Sequence, residues 1–349
     1  DIDIGAGLID ALPQAVRDVS AHAQVLLVTD KTLADLHLAG VAMAFRRADI
    51  PLHEAIIPAG ERSKSLTQYT RLLKRIPEFD DARDVVIVAL CGGVVGDLTG
   101  FTAATYKRGV PFIQVPTTLL ACVDSSVGGK TGLDLPAGKN LVGAFYQPRR
   151  VIIDPDMLRT LPPRELRAGY AEAAKTALIF EKKFFEYLEA DLDAVLAVDP
   201  EAMAHVIARC CALKASVVRR DEYDNKGIRA VLNFGHTFAH AAEAALGYAR
   251  LRHGEAVAAG MLCAADLSAA RGMITSKDAA RIQDHMAAAG LPTHFKGCAA
   301  DDIFRFIKYD KKFTADRMRF ILLDRIGKAV VADDVTEPEI RAAIQGRVV

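Results

Sequence analysis

Asp84-Val-Val-Ile-Val-Ala-Leu-Cys-Gly-Gly-Val-Val-Gly-Asp97 joins an unbroken aliphatic run to a glycine-rich turn. A run without polar alternation suits a strand buried on both faces, the pattern of a parallel sheet covered by helices. The glycines let backbone approach a bulky anion, and a helix starting there offers free N–H groups and the positive end of its dipole. Asp97 would fall in the first helical turn, placed to cap it or to hydrogen-bond a ribose. The spacing is not G-x-G-x-x-G, so the simple dinucleotide fingerprint does not apply. A purely structural Gly-Gly turn is the competing reading.

Working outward, similar runs recur at residues 25–30, 52–57, 112–115 and 151–154, with helical stretches between several of them, as at 66–75 and 97–106. Strands alternating with helices predict an α/β domain of Rossmann-like layout. After Pro162-Pro163 the chain turns rich in Ala, Leu, Glu and Lys with helical periodicity, to about residue 271 and again over 277–289. One further short strand is expected at 318–323. The expected division is therefore 1–162, an α/β domain, and 163–349, a mostly α-helical domain.

A chain of 349 residues exceeds one ordinary core. With 51% hydrophobic and 25% charged residues, and Lys+Arg equal to Asp+Glu at 44 each, the composition is that of a soluble globular protein. Nothing global recruits nucleic acid or an anionic membrane, so any anion site must arise from local clustering. The six cysteines show no C-x-x-C spacing and read as buried, reduced thiols. No apolar run is long enough to span a membrane, and Asp1-Ile-Asp-Ile-Gly5 is neither a signal nor a transit peptide. A cytoplasmic location is expected.

Three of nine histidines, His236, His240 and His253, fall close together in Phe234-Gly-His-Thr-Phe-Ala-His240 and His253-Gly-Glu255. His236 and His240 share a helix face, and neutral imidazole is the commonest metal ligand. Separate helix-surface histidines are the plain alternative. Glu172 and Lys175 are three apart on another expected helix, either a surface ion pair or, with Glu172 turned to the histidines, part of an open zinc-type site. A second glycine-rich stretch, residues 115–132, followed by Gly138-Lys139-Asn140, brings paired hydroxyls and lysines together and fits an anionic ligand.

These motifs resemble the 3-dehydroquinate synthase family. The resemblance rests on Ala89 to Phe101, Tyr106-Lys-Arg-Gly-Val110, Gln114 to Leu120, Val123 to Thr131, Gly143-Ala-Phe-Tyr-Gln-Pro148, Leu232-Asn-Phe-Gly-His-Thr-Phe238 and His253-Gly-Glu-Ala-Val257. It implies a phosphate-eliminating lyase that converts 3-deoxy-D-arabino-heptulosonate 7-phosphate to 3-dehydroquinate in the shikimate pathway. NAD and one divalent metal, zinc or cobalt, would be the cofactors, and a homodimer the assembly. It implies Glu172, His236 and His253 as metal ligands, with His240 nearby to hydrogen-bond substrate and move protons. NAD contacts would come from Asp30, from Ala59, Gly60, Glu61, Arg62, Ser63 and Lys64, and from Gly92, Gly93, Val94, Val95, Gly96 and Asp97. Thr117, Thr118, Lys130, Lys139, Met157, Leu158, Arg159 and Thr160 complete that set. The phosphorylated sugar acid would meet Asp124, Lys130, Asn140, Lys175, Lys214, Arg229, Asn233, Lys311 and Lys312, with Arg108 reaching its phosphate across a dimer interface. Of these, Lys130, Lys175, Arg229, Asn233 and His240 would act in catalysis.

Two departures stand out. Cys91 precedes Gly92-Gly93 where the family has three glycines, which matters if that position needs positive φ and not if it ends a strand. The loop Asp221-Glu-Tyr-Asp-Asn-Lys-Gly-Ile-Arg229 is one residue longer than the family's, so Asn225 falls where a functional Glu is expected, and Asp224 is the nearest carboxylate. The rival readings are a sister sugar-phosphate cyclase, a metal-dependent alcohol or glycerol dehydrogenase, and a non-catalytic cofactor-binding relative.

Overall fold

The computed structural model describes residues 1–81, 84–247, 250–309, 313–314 and 317–349. The chain divides into two units, Asp1–Leu161 with Met203–Cys211, and Pro162–Ala202 with Ala212–Val349. Among the described residues no helix is long and apolar enough to cross a membrane.

In the first unit the strands are β1 (Ile2–Ile4), β2 (Gln24–Asp30), β3 (Leu52–Ile57), β4 (Val85–Cys91), β5 (Phe112–Pro116), β6 (Lys130–Leu135), β7 (Gly138–Phe145) and β8 (Arg150–Ile153). Six of them form one all-parallel sheet in the order β1-β8-β5-β4-β2-β3. Alternate residues of the same strand pack on opposite faces. Val25, Leu27, Val86, Val88 and Leu90 meet Leu12, Val16, Val41 and Phe45, while Leu26, Val28, Ile87, Ala89 and Cys91 meet Leu72, Ile76, Leu98 and Phe101. Two buried faces explain why β4 is apolar throughout, whereas the edge strand β3 carries His53 and an exposed Glu54.

Strands β6 and β7 form a separate antiparallel ribbon out of the segment read as an anion-binding loop. Its glycines disguise it, because glycine weakens strand propensity. The helix after β4 begins at Gly93, four residues earlier than the sequence suggests, and ends at Thr105.

The second unit is helical, with Pro163–Phe180, Lys182–Ala190, His236–Ala245, His253–Ala270 and Ser276–Ala288 its principal elements, and Pro200–Arg220 running through both segments of the division. Proline at the first position starts Pro163–Phe180 and Pro200–Arg220, where no N–H is lost. At the C-terminal end β9 (Phe313–Thr314), β10 (Arg317–Arg325) and β11 (Lys328–Val335) form an antiparallel sheet, more than the single strand expected. Two bonds tie its hairpin to the helices: Leu323 N donates to Ser268 Oγ at 3.0 Å and Gly327 N to Leu178 O at 2.8 Å.

Two glycines allow the helices to meet backbone to backbone. A Cβ on Gly254 would lie 1.8 Å from the carbonyl oxygen of Ala168, and one on Gly235 would lie 2.6 Å from Met261 N. Gly235 also has φ of 78°, a conformation L side chains avoid. The first contact brings the start of His253–Ala270 against Pro163–Phe180, and the second brings the start of His236–Ala245 against the middle of His253–Ala270. Three helices thereby present Glu172, His236 and His253 to one another.

Candidate active site

Glu172 is 1% exposed and Lys175, one turn on, is 2% exposed, so the pair is buried and not on a helix surface. Lys175 Nζ contacts Glu172 Oε2. His236 Nε2 and His253 Nε2 stand 3.6 and 3.5 Å from Glu172 Oε1. Those separations are longer than ordinary hydrogen bonds. His240 joins them from the next turn of the His236 helix, and donor atoms of the three imidazoles all lie within 4.8 Å of one another. The histidines are therefore one cluster.

Burial opposes ionisation of Glu172, yet the Lys175 charge and the imidazoles of His253 and His236 hold its carboxyl well below the usual range. Burial, reinforced by Lys175, pushes His236 down to about 3. Burial also acts against a charged His253, but the facing carboxylates of Glu172 and Glu243 hold that ring up at about 10.

This donor set fits a divalent metal. Two donors bound about 2.1 Å from a tetrahedral zinc stand about 3.4 Å apart, close to the two measured separations. Each of the two rings also has a partner on its other nitrogen: His236 Nδ1 lies 3.2 Å from Phe234 O and His253 Nδ1 lies 3.3 Å from Glu243 Oε1. Glu243 escaped sequence reading, although it follows His236 and His240 at helical spacing on the same face.

Arg229 is buried and donates from Nη1 to Glu222 O at 3.0 Å. Its loop is organised by Asp221, a fully buried residue whose carboxylate accepts from the backbone N–H of Asn225, Lys226 and Ile228 at 3.0 Å each, and of Arg229 at 3.4 Å. Burial disfavours the ionised form, but these backbone bonds bring the Asp221 carboxyl below its usual range. Asp224, in a left-handed conformation at φ of 52°, and Asn225 are exposed on the turn. Lys214 is buried and Asn233 exposed. Lys311 and Lys312 lie outside the described residues.

In the first unit the expected NAD residues gather at the carboxyl ends of the parallel strands, where ligands of such sheets bind. Asp30 ends β2, Ala59 to Lys64 follow β3, Gly92 to Asp97 follow β4, Thr117 and Thr118 follow β5, and Met157 to Thr160 follow β8. Asp30 Oδ1 caps the next helix, accepting from Thr32 N at 2.8 Å and Leu33 N at 3.1 Å. Thr117 Oγ1 is buried with no hydrogen-bond partner among the described residues, and Thr117 N donates to Cys91 O at 2.8 Å. A polar orphan beside an open glycine turn is what a dinucleotide would satisfy. Cys91 is the last residue of β4, buried in the sheet core, and leaves the turn itself to glycine.

Asp97 does not cap its helix, whose N-cap is Gly92 without a side-chain bond. It pairs with Lys64, whose Nζ lies 2.6 Å from Asp97 Oδ2 and also contacts Asn140 Oδ1. Lys139 pairs with Glu61 at 3.0 Å and Thr160 Oγ1 with His37 Nε2 at 3.0 Å. Lys130 opens β6 on the surface, and Asp124 lies in the turn Ala121–Ser125. Arg108 sits on a strained turn, with Lys107 and Arg108 at φ of 47° and 65°. Asp80 braces that turn by bonding Tyr106 Oη and, at 2.6 Å, Lys107 Nζ. Strain of this kind persists only when its surroundings enforce it.

A parallel sheet with a glycine turn, followed by helices enclosing a carboxylate among imidazoles, defines a class of two-unit enzymes. A 2-deoxy-scyllo-inosose synthase solved with carbaglucose-6-phosphate, NAD+ and Co2+ superposes with a TM-score of 0.89 at 30% identity, over 99% of this chain and 96% of that one. The 2-epi-5-epi-valiolone synthase of Streptomyces hygroscopicus, solved with NAD+ and Zn2+, gives 0.89 at 29% identity over the same shares. A glycerol dehydrogenase from Schizosaccharomyces pombe shares the fold at 17% identity, with a TM-score of 0.71 over 99% of this chain and 88% of that one.

Within that class the sequence is more specific. Models of the 3-dehydroquinate synthase N-terminal and C-terminal domains match residues 54–168 and 169–313. The 3-dehydroquinate synthase of Acidithiobacillus ferrooxidans is 49% identical over 321 residues, 92% of this chain and 88% of that one. The chain belongs to the 3-dehydroquinate synthase family.

Proposed function

We propose that this chain catalyses the family's reaction, converting 3-deoxy-D-arabino-heptulosonate 7-phosphate to 3-dehydroquinate and phosphate, as a cytoplasmic homodimer. The observation that carries the reading is the buried Glu172 with two imidazole Nε2 atoms at 3.5 and 3.6 Å, in a chain 49% identical to a 3-dehydroquinate synthase.

Glu172, His236 and His253 would hold one divalent ion, which when bound supplies Lewis-acid polarisation of the substrate hydroxyls. The residues at the strand ends would hold NAD, which when bound accepts a hydride from C5 and later returns it, so that it is regenerated within each turnover. The remaining work belongs to side chains. Lys175 keeps Glu172 ionised and stands ready to donate to a substrate oxygen. His240, exposed one turn beyond His236, can take and return a proton at the substrate hydroxyl. Arg229, Lys214, Lys130, Asn140 and Asn233 supply donors for the carboxylate and hydroxyls, and Arg108 for the phosphate of a neighbouring subunit's substrate. Cations suit a substrate carrying both acidic groups, because charge-assisted hydrogen bonds are the strong ones. A ketone formed at C5 acidifies the C6 proton, so phosphate leaves by β-elimination. Re-reduction, ring opening and an intramolecular aldol step then close the carbocycle.

The test is phosphate release from this substrate with catalytic NAD and zinc, followed together with absorbance at 340 nm. The expected result is stoichiometric phosphate without NADH build-up, abolished by a chelator and restored by zinc. Phosphate release absent here but present with a non-carboxylated sugar phosphate would move the chain to a sister cyclase. NADH accumulation on a polyol would make it a dehydrogenase.

A further inference from the structure

The His253 ring lies between two acids. Its Nε2 faces Glu172 Oε1 at 3.5 Å and its Nδ1 faces Glu243 Oε1 at 3.3 Å. Glu243 is 9% exposed on a helix whose other buried residues are His236, Phe238, Ala239, Ala241 and Ala242. A mostly buried acid needs a compensating partner, and among the described residues His253 Nδ1 is the one found.

A carboxylate only accepts, so Nδ1 facing Glu243 carries a proton; metal binding needs the neutral ring, which then keeps its lone pair on Nε2. His236 is held in the same tautomer by a different acceptor, the carbonyl oxygen of Phe234. Both rings thus direct Nε2 at the same oxygen of Glu172. The two supports are not equivalent, since Phe234 offers a dipole and Glu243 a full negative charge behind the ring.

We propose that Glu243 is a positioning residue of the metal centre, fixing the tautomer and plane of His253 and placing a compensating charge behind it. The inference rests on the metal reading of Glu172, His236 and His253. Loss of such a bond to a ligand ring's far nitrogen typically costs about 10–100-fold in metal affinity.

The experiment compares the full chain with Glu243→Leu and Glu243→Gln. Zinc affinity is measured by competition with a chromophoric chelator, and the visible spectrum of the Co2+ form reports ligand geometry. NAD affinity serves as the control for an intact first unit. Glu243→Leu is expected to bind zinc about 10–100-fold more weakly, with an altered Co2+ spectrum and unchanged NAD affinity. Glu243→Gln, which retains an acceptor and loses the charge, should fall between it and the native chain. If the Leu variant does not fold, Glu243→Gln decides alone, because loss of charge must still weaken zinc. Unchanged zinc affinity in the variants overturns the role of Glu243 while leaving the metal reading in place. A native chain that binds no zinc overturns both.

Discussion

At the carboxyl ends of the parallel strands, the expected NAD residues are scattered over five connections, some capping locally, as Asp30 does, and others paired between connections, as Lys64 is with Asp97. In the helical unit, three helices converge so that a carboxylate and its imidazoles meet within 3.6 Å. Glycine does different work in the two places. A Cβ on Gly92 would meet only the Thr118 side chain, its methyl carbon at 3.2 Å and Oγ1 at 3.7 Å, so this glycine keeps a turn open. A Cβ on Gly254 would meet main chain of Ala168 at 1.8 Å, so that glycine brings helices into contact. A site that binds a large ligand needs space, whereas one that grips a small ion needs donors held to tenths of an ångström.

The strongest test of that contrast is Gly254→Ala. One methyl group there cannot be absorbed by a flexible neighbour, so the first turn of His253–Ala270 must move off Ala168 and take His253 with it. We expect stability to fall by about 1–3 kcal/mol in denaturant unfolding, and retained metal to be lost on gel filtration. A variant with native metal content would show that the helices can slide without disturbing the cluster, and the contrast would fail.

The matching change in the first unit, Gly92→Ala, should do less. Its φ of −82° suits alanine, and the Thr118 methyl can give way by a few tenths of an ångström. Stability and zinc binding are expected to stay native, with NAD affinity falling about tenfold, or ~1.4 kcal/mol, because the added methyl crowds the ligand. Weaker zinc binding in this variant would break the separation drawn between the two places.

Much of this was legible in the chain itself. Strands β2, β4, β5 and β8 announce themselves as largely apolar runs because both sheet faces are covered, and the edge strand β3 shows only in its closing Ala55-Ile-Ile57. Strand β1 is three residues long, and the ribbon β6–β7 contains glycines that face one another: a Cβ on Gly143 would lie 2.1 Å from Thr131 O. Propensity does not register such pairing, since the requirement comes from the opposite strand. His236 and His240 were visible through their spacing, and Glu172 gained its meaning once the family resemblance placed it with them. Asp221 and Glu243 were not, because an acid in a charged loop or on an alanine-rich helix looks the same whether it faces solvent or a buried N–H. Their roles depend on burial, and burial is set by distant parts of the chain.

The smallest expected effect concerns how the helical unit stores polar groups away from its site. Tyr170 Oη and His285 Nε2 are 2.7 Å apart in its core. Burial pushes the His285 ring below its ordinary value of 6.5, whereas in the unfolded chain the ring is free to titrate normally. The unfolded state therefore takes up a proton first as pH falls. Stability contributed by the neutral ring is complete above about pH 6.5 and is lost progressively below it. The melting temperature should thus drop between pH 7 and pH 5, and His285→Gln, which keeps a partner for Tyr170 without titrating, should show a shallower drop. An equal slope in the two proteins would mean that His285 does not contribute. The acid sensitivity of the helical unit would then have to come from the cluster itself, erasing the distinction between polar groups held for stability and those held for a ligand.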